Sequence, residues 1–219
     1  MIKTKKMKLC VFDLDHTLLT VNSSYRFGTY LYQQKFISSF TLSHCLFYYA
    51  RHKFLGMSMQ KLHEKIFQKL FKGLYLKELQ KHVKNFLDLE LIKLFYEPAL
   101  QRLQEAKQRG DYTLILSASP DFLVQPIAEK LDVKNWRASV YAPDQEGKLE
   151  YLSSILDGLN KANYVVSLIN QMQIDYTAIT AYSDSYLDLP ILELSGKAVG
   201  VVPDSYLRKI CQERGWEIL

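Results

Sequence analysis

Asp13 and Asp15 stand two residues apart at the end of a short apolar run, Leu9-Cys10-Val11-Phe12, and Thr17 follows. Val11 and Phe12 favour an extended, buried strand. A strand that ends in carboxylates places them beyond the carboxyl ends of the sheet, where open α/β folds gather their chemistry. Two acids this close repel, and burying both without a cation is costly. A bound metal ion resolves the conflict and leaves one carboxylate free to attack or to carry a proton. Taken alone, Asp-x-Asp reads as an ordinary polar strand end.

Three further stretches change that reading. Ser117-Ala118-Ser119 follows the apolar Tyr112–Leu116, Lys161 opens a helical stretch, and Ser183-Asp184-Ser185 with Asp188 follows Tyr176–Ala181. In a parallel sheet these termini share one edge and can meet in one pocket. Together they hold acids for a metal, hydroxyl and amide donors for phosphate oxygens, and a fixed cation. That inventory suits phosphoryl transfer. Singly, each residue has a plainer role as a loop polar, a surface lysine or a helix-capping acid.

The elements that must position these groups alternate from Glu97 onward. Pro98 suits a helix first turn, the helix runs to Arg109, and Gly110 fits its cap. A buried strand at Tyr112–Leu116 precedes a helix at Pro120–Leu131 and a short strand at Ala138–Tyr141. Asp144 to Lys148 carries turn chemistry that suits a hairpin. Asn160 is the expected cap of a helix from Lys161 to Met172. A strand at Tyr176–Ala181, a helix at Leu187–Leu194 and a strand at Ala198–Val202 complete the pattern. Such alternation predicts an α/β fold, a doubly wound parallel sheet covered by helices on both faces. Residues 22 to 95 show helical periodicity instead, as in Leu62, Ile66 and Leu70, with Gly56 and Gly73 as joints. The expected organisation is an α/β core at 1–20 and 96–219 with an all-helical cap at 21–95.

With 219 residues, 48% hydrophobic and 23% charged, the chain suits one globular core with an insertion. Cys10, Cys45 and Cys211 are widely spaced with no Cys-x-x-Cys pair, which points to a reducing cytoplasm rather than disulfides or a thiolate zinc site. The basic start (Lys3, Lys5, Lys6, Lys8) faintly imitates a signal peptide, but Asp13 interrupts its apolar stretch too soon. No apolar run approaches the roughly 20 residues of a membrane span. Residues 51 to 84 hold nine Lys/Arg against Glu64 and Glu78, a charge of +7 in a chain whose total is +5. One segment therefore carries the whole basic excess.

The four motifs resemble the haloacid dehalogenase superfamily, in its subfamily IB related to phosphoserine phosphatase. They are Phe12-Asp13-Leu14-Asp15-His16-Thr17-Leu18, Leu114 to Pro120, Gly158-Leu159-Asn160-Lys161 and Tyr182 to Asp188, in the family's order. The resemblance covers about residues 7 to 20 and 97 to 205. It implies a Rossmann-like core and a phosphatase acting through an aspartyl-phosphate. Asp13 would be the nucleophile, and Asp15 the general acid and then base. Mg²⁺ would be held by Asp13, the Asp15 carbonyl and Asp184, with Asp188 in support. Ser117, the Ala118 amide and Thr17 would serve the phosphate, and Lys161 would neutralise developing charge. Asp15 separates this reading from dehalogenation, which lacks that second acid.

Phosphoserine-specific members place a Glu soon after the first motif. Here Thr20 to Arg26 holds no acid and offers Arg26 as a candidate phosphate-side cation, which weighs against phosphoserine. His16 also departs from the family's usual small residue. The aromatics Phe36, Phe40, Phe47, Tyr48, Tyr49 and Phe54 are expected to form the core of the helical block, with the lysines as a solvated face. The sharper alternative is an anionic membrane surface met by the basic cap, with a phosphatidylglycerophosphate-like lipid as substrate. Nucleic acid is not an expected partner, since no recognition motif accompanies the charge. The expected partner is a small phosphorylated metabolite. A phosphomutase shares the same core; a phospho-Asp receiver or an idle binding protein explains the second acid cluster less well.

Overall fold

The computed structural model describes residues 7–219; the signal-like lysines Lys3, Lys5 and Lys6 lie outside them. At its centre is β1 (Leu9–Asp13), buried along its whole length. On one side β1 pairs in parallel with β2 (Tyr112–Pro120), which pairs with β3 (Asn135–Pro143). On the other it pairs with β5 (Ile179–Ser183), followed by β6 (Lys197–Gly200) and β7 (Glu217–Ile218). β4 (Leu149–Ser154) closes one edge antiparallel to β3, through the turn that Asp144 to Lys148 implied. Among the described residues this is a seven-stranded sheet of order β4-β3-β2-β1-β5-β6-β7.

The chain winds outward from β1 to β3 and β4, then returns to the far side of β1 as β5. The strand order thus reverses beside β1, the position at which open α/β sheets leave a crevice. Alternate residues of each strand feed different layers. Cys10, Phe12 and Ile115 belong to one hydrophobic cluster; Leu9, Val11, Leu114 and Leu116 belong to the other. Burial on both faces explains why β1 and β2 read as continuous apolar runs rather than alternating ones.

Helices α5 (Glu97–Gln108), α6 (Asp121–Lys130), α7 (Gly158–Met172), α8 (Leu189–Leu194) and α9 (Ser205–Arg214) flank the sheet. Between β1 and α5 lies the helical block, made of α1 (Ser23–Gln33), α2 (Ser39–Leu55), α3 (Met59–Ile66) and α4 (Leu76–Leu94). Phe27, Tyr30 and Phe86 of this block share the hydrophobic cluster of Phe12 and Leu123. Tyr141 of β3 meets Phe67, Phe71 and Phe122 edge-on and hydrogen-bonds the His63 ring at 3.0 Å. Both chain crossings are tied together, with Thr20 donating to the Leu94 carbonyl and Tyr96 to that of Leu18.

Several local expectations shift. Helix α7 starts at Gly158, because the Asp157 side chain, not Asn160, accepts from the Asn160 amide and caps it. Tyr176–Ala178 forms a tight helical turn before β5, fixed by Asp175 accepting from the Thr177 amide. Neither α9 nor β7 was legible beforehand. In the helical block, the aromatic core expectation fails for Phe40, Phe47 and Phe54, which are exposed to 63%, 56% and 74%. Helix α2 buries none of its 17 residues.

Candidate active site

The ends of β1, β2 and β5 and the start of α7 deliver four polar groups to one edge. Asp13 ends β1, and the chain then turns sharply through Leu14–Leu18 with His16 in the left-handed region at φ 59°. Only a residue without Cβ takes that conformation freely, so His16 carries local strain of about 1–2 kcal/mol. This is the physical meaning of a small residue at that position. The turn brings Thr17 back under the site, where it is fully buried.

Lys161 is the electrostatic centre. Its Nζ lies 2.6 Å from Asp13 Oδ1 and 2.8 and 3.1 Å from the two Asp188 oxygens. All three side chains are buried. Burial works against the charge on Lys161, but Asp13 and Asp188 overcome it and hold the ammonium protonated well above its ordinary range. Burial pushes the Asp13 carboxyl up to about 7; Lys161 pulls it down, while Asp188 and Asp15 push it further up. Asp184 rises to about 8, first through burial and then through Asp13 and Asp188. One cation thus faces a surplus of acid.

Two close approaches set this geometry. A Cβ on Gly158 would collide with the Leu187 carbonyl, so glycine lets the start of α7 lie against the Asp188 segment. Ser183 Oγ donates to Asp188 Oδ2 at 2.8 Å and fixes the far carboxylate. Thr17 clamps Asp184 at two points: its Oγ1 accepts from the Asp184 amide at 3.1 Å and donates to Oδ1 at 3.3 Å.

The strand β2 shifts register between Leu116 and Pro120, which re-aims Ser117-Ala118-Ser119 into the edge. Ser117 is buried, and its Oγ accepts from the Ser119 amide at 3.1 Å, leaving its proton to donate elsewhere. Asp15 is held from the other side. Its Oδ1 accepts from the Ser23 amide at 2.7 Å, and its Oδ2 from Ser119 Oγ at 2.6 Å.

The structure therefore gathers Asp13, Lys161 and Asp188, joins Thr17 to Asp184, and seats Asp15 beside Ser117-Ala118-Ser119. Arg26 is placed differently. Its Nε lies 2.8 Å from Glu90 Oε2 on α4, an ion pair within the helical block rather than a contact with these acids. Thr17 is likewise engaged by Asp184 instead of standing open to a phosphate. Sequence reasoning missed Ser23, Ser24 and Tyr49 as site residues. The Tyr49 phenol on α2 is raised by burial and then by Asp15 and Asp184, which places the helical block's aromatic edge near the acids. No sequence signal separates Tyr49 from its neighbour Tyr48. Ser119 was visible within its motif, as a donor for phosphate oxygens or a loop polar, and not as a partner of Asp15.

Residues 10–193 match the haloacid dehalogenase-like hydrolase family. The chain belongs to that family. It is similar to a Mycobacterium tuberculosis protein named phosphoserine phosphatase, with 30% identity over 94% of this chain and 68% of that one. It is also similar to a Neisseria meningitidis protein named histidinol-phosphatase, at 24% identity over 96% and 97% of the two chains. Among solved structures, a Bordetella pertussis protein of unknown function superposes with TM-score 0.85 at 21% identity, covering 98% of this chain and 99% of its own. A phosphoserine phosphatase bearing a phospho-aspartyl intermediate analogue superposes with TM-score 0.72 at 19% identity, covering 98% and 93%. The fold is that of these hydrolases: a mostly parallel Rossmann-like sheet with flanking helices. Among the described residues no helix is long and apolar enough to cross a membrane.

Three His, Cys, Asp or Glu side chains do not converge into a metal site among the described residues. The donor set expected from the resemblance needs only two carboxylates, with a backbone carbonyl, phosphate and water completing it. Asp13 and Asp184 fit that need: both are hard oxygen donors whose carboxyls are raised by burial and by neighbouring carboxylates, the condition that a divalent cation relieves.

Proposed function

We propose that the chain is a phosphomonoester hydrolase that works through a phosphorylated Asp13 and uses Mg²⁺. The observation that carries this is the buried Lys161 bridge between Asp13 and Asp188, with the clamped Asp184 and Asp15 beside it. Mg²⁺, held by Asp13, the Asp15 carbonyl and Asp184 with Asp188 in support, would draw charge from the phosphate oxygens. Lys161 occupies Asp13 Oδ1, so Oδ2 is the oxygen left to form the bond to phosphorus. As that bond forms, the ester P–O bond breaks, and its electron pair goes to the leaving oxygen, which takes the proton of Asp15. Asp15, now a carboxylate, takes a proton from the water that attacks phosphorus, releasing phosphate and restoring Asp13. Ser117 and the Ala118 amide would hold the non-bridging oxygens.

The substrate class is a small phosphorylated metabolite in the cytoplasm. The absence of an acid between Thr20 and Arg26 favours something other than phosphoserine. Hydrolysis of p-nitrophenyl phosphate with and without Mg²⁺ tests the activity. Turnover must require the metal and vanish in Asp13→Asn; unchanged turnover in that variant ends the mechanism.

A second reading concerns where the phosphate ester lies. Phe40, Phe47 and Phe54 recur every seven residues on α2 and are exposed, and no Asp or Glu occurs between His16 and His63. Exposed aromatics beside Arg51, Lys53 and Lys69 suit the interface of an anionic bilayer, which would present a lipid phosphate. Co-sedimentation with phosphatidylglycerol vesicles at low salt tests it. Binding lost in Phe47→Ser/Phe54→Ser supports it, and no binding ends it.

A further inference from the structure

We propose that Ser119 is a positioning residue for the acid–base group Asp15, working as the hub of a three-serine cluster that ties that carboxylate to helix α1. The inference rests on the catalytic reading above and names the groups that aim its proton donor.

Ser119 is 4% exposed, and its Oγ donates to Asp15 Oδ2 at 2.6 Å. A serine hydroxyl has one proton and two lone pairs. With that proton committed to Asp15, the two neighbouring hydroxyls must donate into Ser119. Ser24 Oγ lies at 2.7 Å and Ser23 Oγ at 3.2 Å from it, so both lone pairs are filled. Donation into Ser119 polarises its own O–H and strengthens the bond it makes to Asp15. The Ser23 amide, at 2.7 Å, takes the other Asp15 oxygen. Both oxygens are thus pinned, and the plane of the carboxyl is fixed rather than free to swivel.

The backbone supports the same purpose. Pro120 restricts Ser119 to an extended conformation, and the register shift in β2 turns its side chain toward α1. The Ser119 amide is itself anchored on Ser117 Oγ at 3.1 Å. The group that faces phosphate and the group that aims the proton donor are therefore coupled through one backbone amide. Ser23 and Ser24 open the first helix of the inserted block, so the placement of that block reaches the proton donor through two hydroxyls and one amide.

A misaimed acid matters most when the leaving oxygen needs its proton. In the first step, that proton passes from Asp15 to the departing alkoxide as the P–O bond breaks; a p-nitrophenolate departs with far less help. The test compares kcat for an alkyl phosphate, such as glycerol phosphate, with kcat for p-nitrophenyl phosphate, both with Mg²⁺. Ser119→Ala is expected to lower kcat for the alkyl ester by about 10- to 100-fold and to lower the alkyl-to-aryl ratio by about tenfold, within the range of general acid catalysis. Ser24→Ala should move the same ratio by a smaller factor, and Ser119→Thr, which keeps the hydroxyl, should restore it. In an Asp15→Asn background, Ser119→Ala should change the ratio no further. Equal losses on both esters, or a ratio that still falls in the Asp15→Asn background, overturn the proposal and make Ser119 structural. Should Asp15→Asn itself leave the ratio unchanged, the catalytic reading fails instead, so the two failures are distinct.

Discussion

Replacing Lys161 with Met removes a buried ammonium from a group of acids while keeping most of the side chain's volume. Lys161 contacts Asp13 and both oxygens of Asp188 within 3.1 Å, and all three side chains are buried. Breaking a buried pair by deleting one partner costs about 3–5 kcal/mol, because the remaining charge is stranded. The loss carries a pH signature. Asp13 is already raised from 3.8 to about 7 with Lys161 present. Without the cation, its carboxyl binds a proton still more tightly in the folded protein than in the unfolded chain. Stability is then fully present below the unfolded value and is lost as pH rises through the folded one. Urea unfolding in EDTA should show Lys161→Met about 3–5 kcal/mol less stable than the parent at pH 8, and about 1–2 kcal/mol less stable at pH 5. A deficit that is equal at both pH values, or below about 1 kcal/mol at pH 8, refutes the electrostatic argument.

Gly158→Ala should lower kcat about 100-fold, since a displacement of about 1 Å at Lys161 is enough for that; activity near the parent's would show that the Leu187 contact can yield. Thr17→Val keeps the shape but strands the Asp184 amide. It should weaken Mg²⁺ affinity about 10- to 100-fold by calorimetric titration, and an unchanged affinity would remove Thr17 from the metal's support. His63 is pushed down to about 4 from 6.5, by burial and then by His52. Its neutral form is the folded one, so stability is present above pH 6.5 and lost as pH falls toward 4, by about 3 kcal/mol. The parent-minus-variant difference for His63→Phe should show that loss in urea unfolding from pH 7 to 4.5; a flat difference contradicts it.

The parallel sheet was legible because β1, β2 and β5 are mostly apolar, and each ends in polar residues. The four motifs were legible for the same reason: strand ends leave acids and serines where no core can use them. What escaped was set by contacts distant in sequence. Nothing near Ser23 and Ser24 in the sequence links them to Ser119, and only the fold brings them to it across 96 and 95 positions. The aromatic stripe of α2 has the composition of a core helix, yet Phe47 and Phe54 stay exposed, with the Arg51 and Lys53 cations of their own helix over their rings. Helix α9 has a weak apolar face, with Leu207 and Cys211 its buried residues, so it leaves little periodic signal. The start of α7 was misjudged because Asp157 and Asn160 are both good caps, and the close fit of Gly158 under Leu187 decides between them.

The central claim, that Asp13 is the group that becomes phosphorylated, is open to direct chemical trapping. Enzyme quenched during turnover of p-nitrophenyl phosphate with Mg²⁺ can be reduced with borohydride, which converts an acyl phosphate to an alcohol. Peptide mass spectrometry should then find homoserine at position 13 and intact aspartate at 15, 184 and 188. Aspartate unmodified at position 13, in samples quenched while hydrolysis proceeds and with homoserine at another position, would contradict the account.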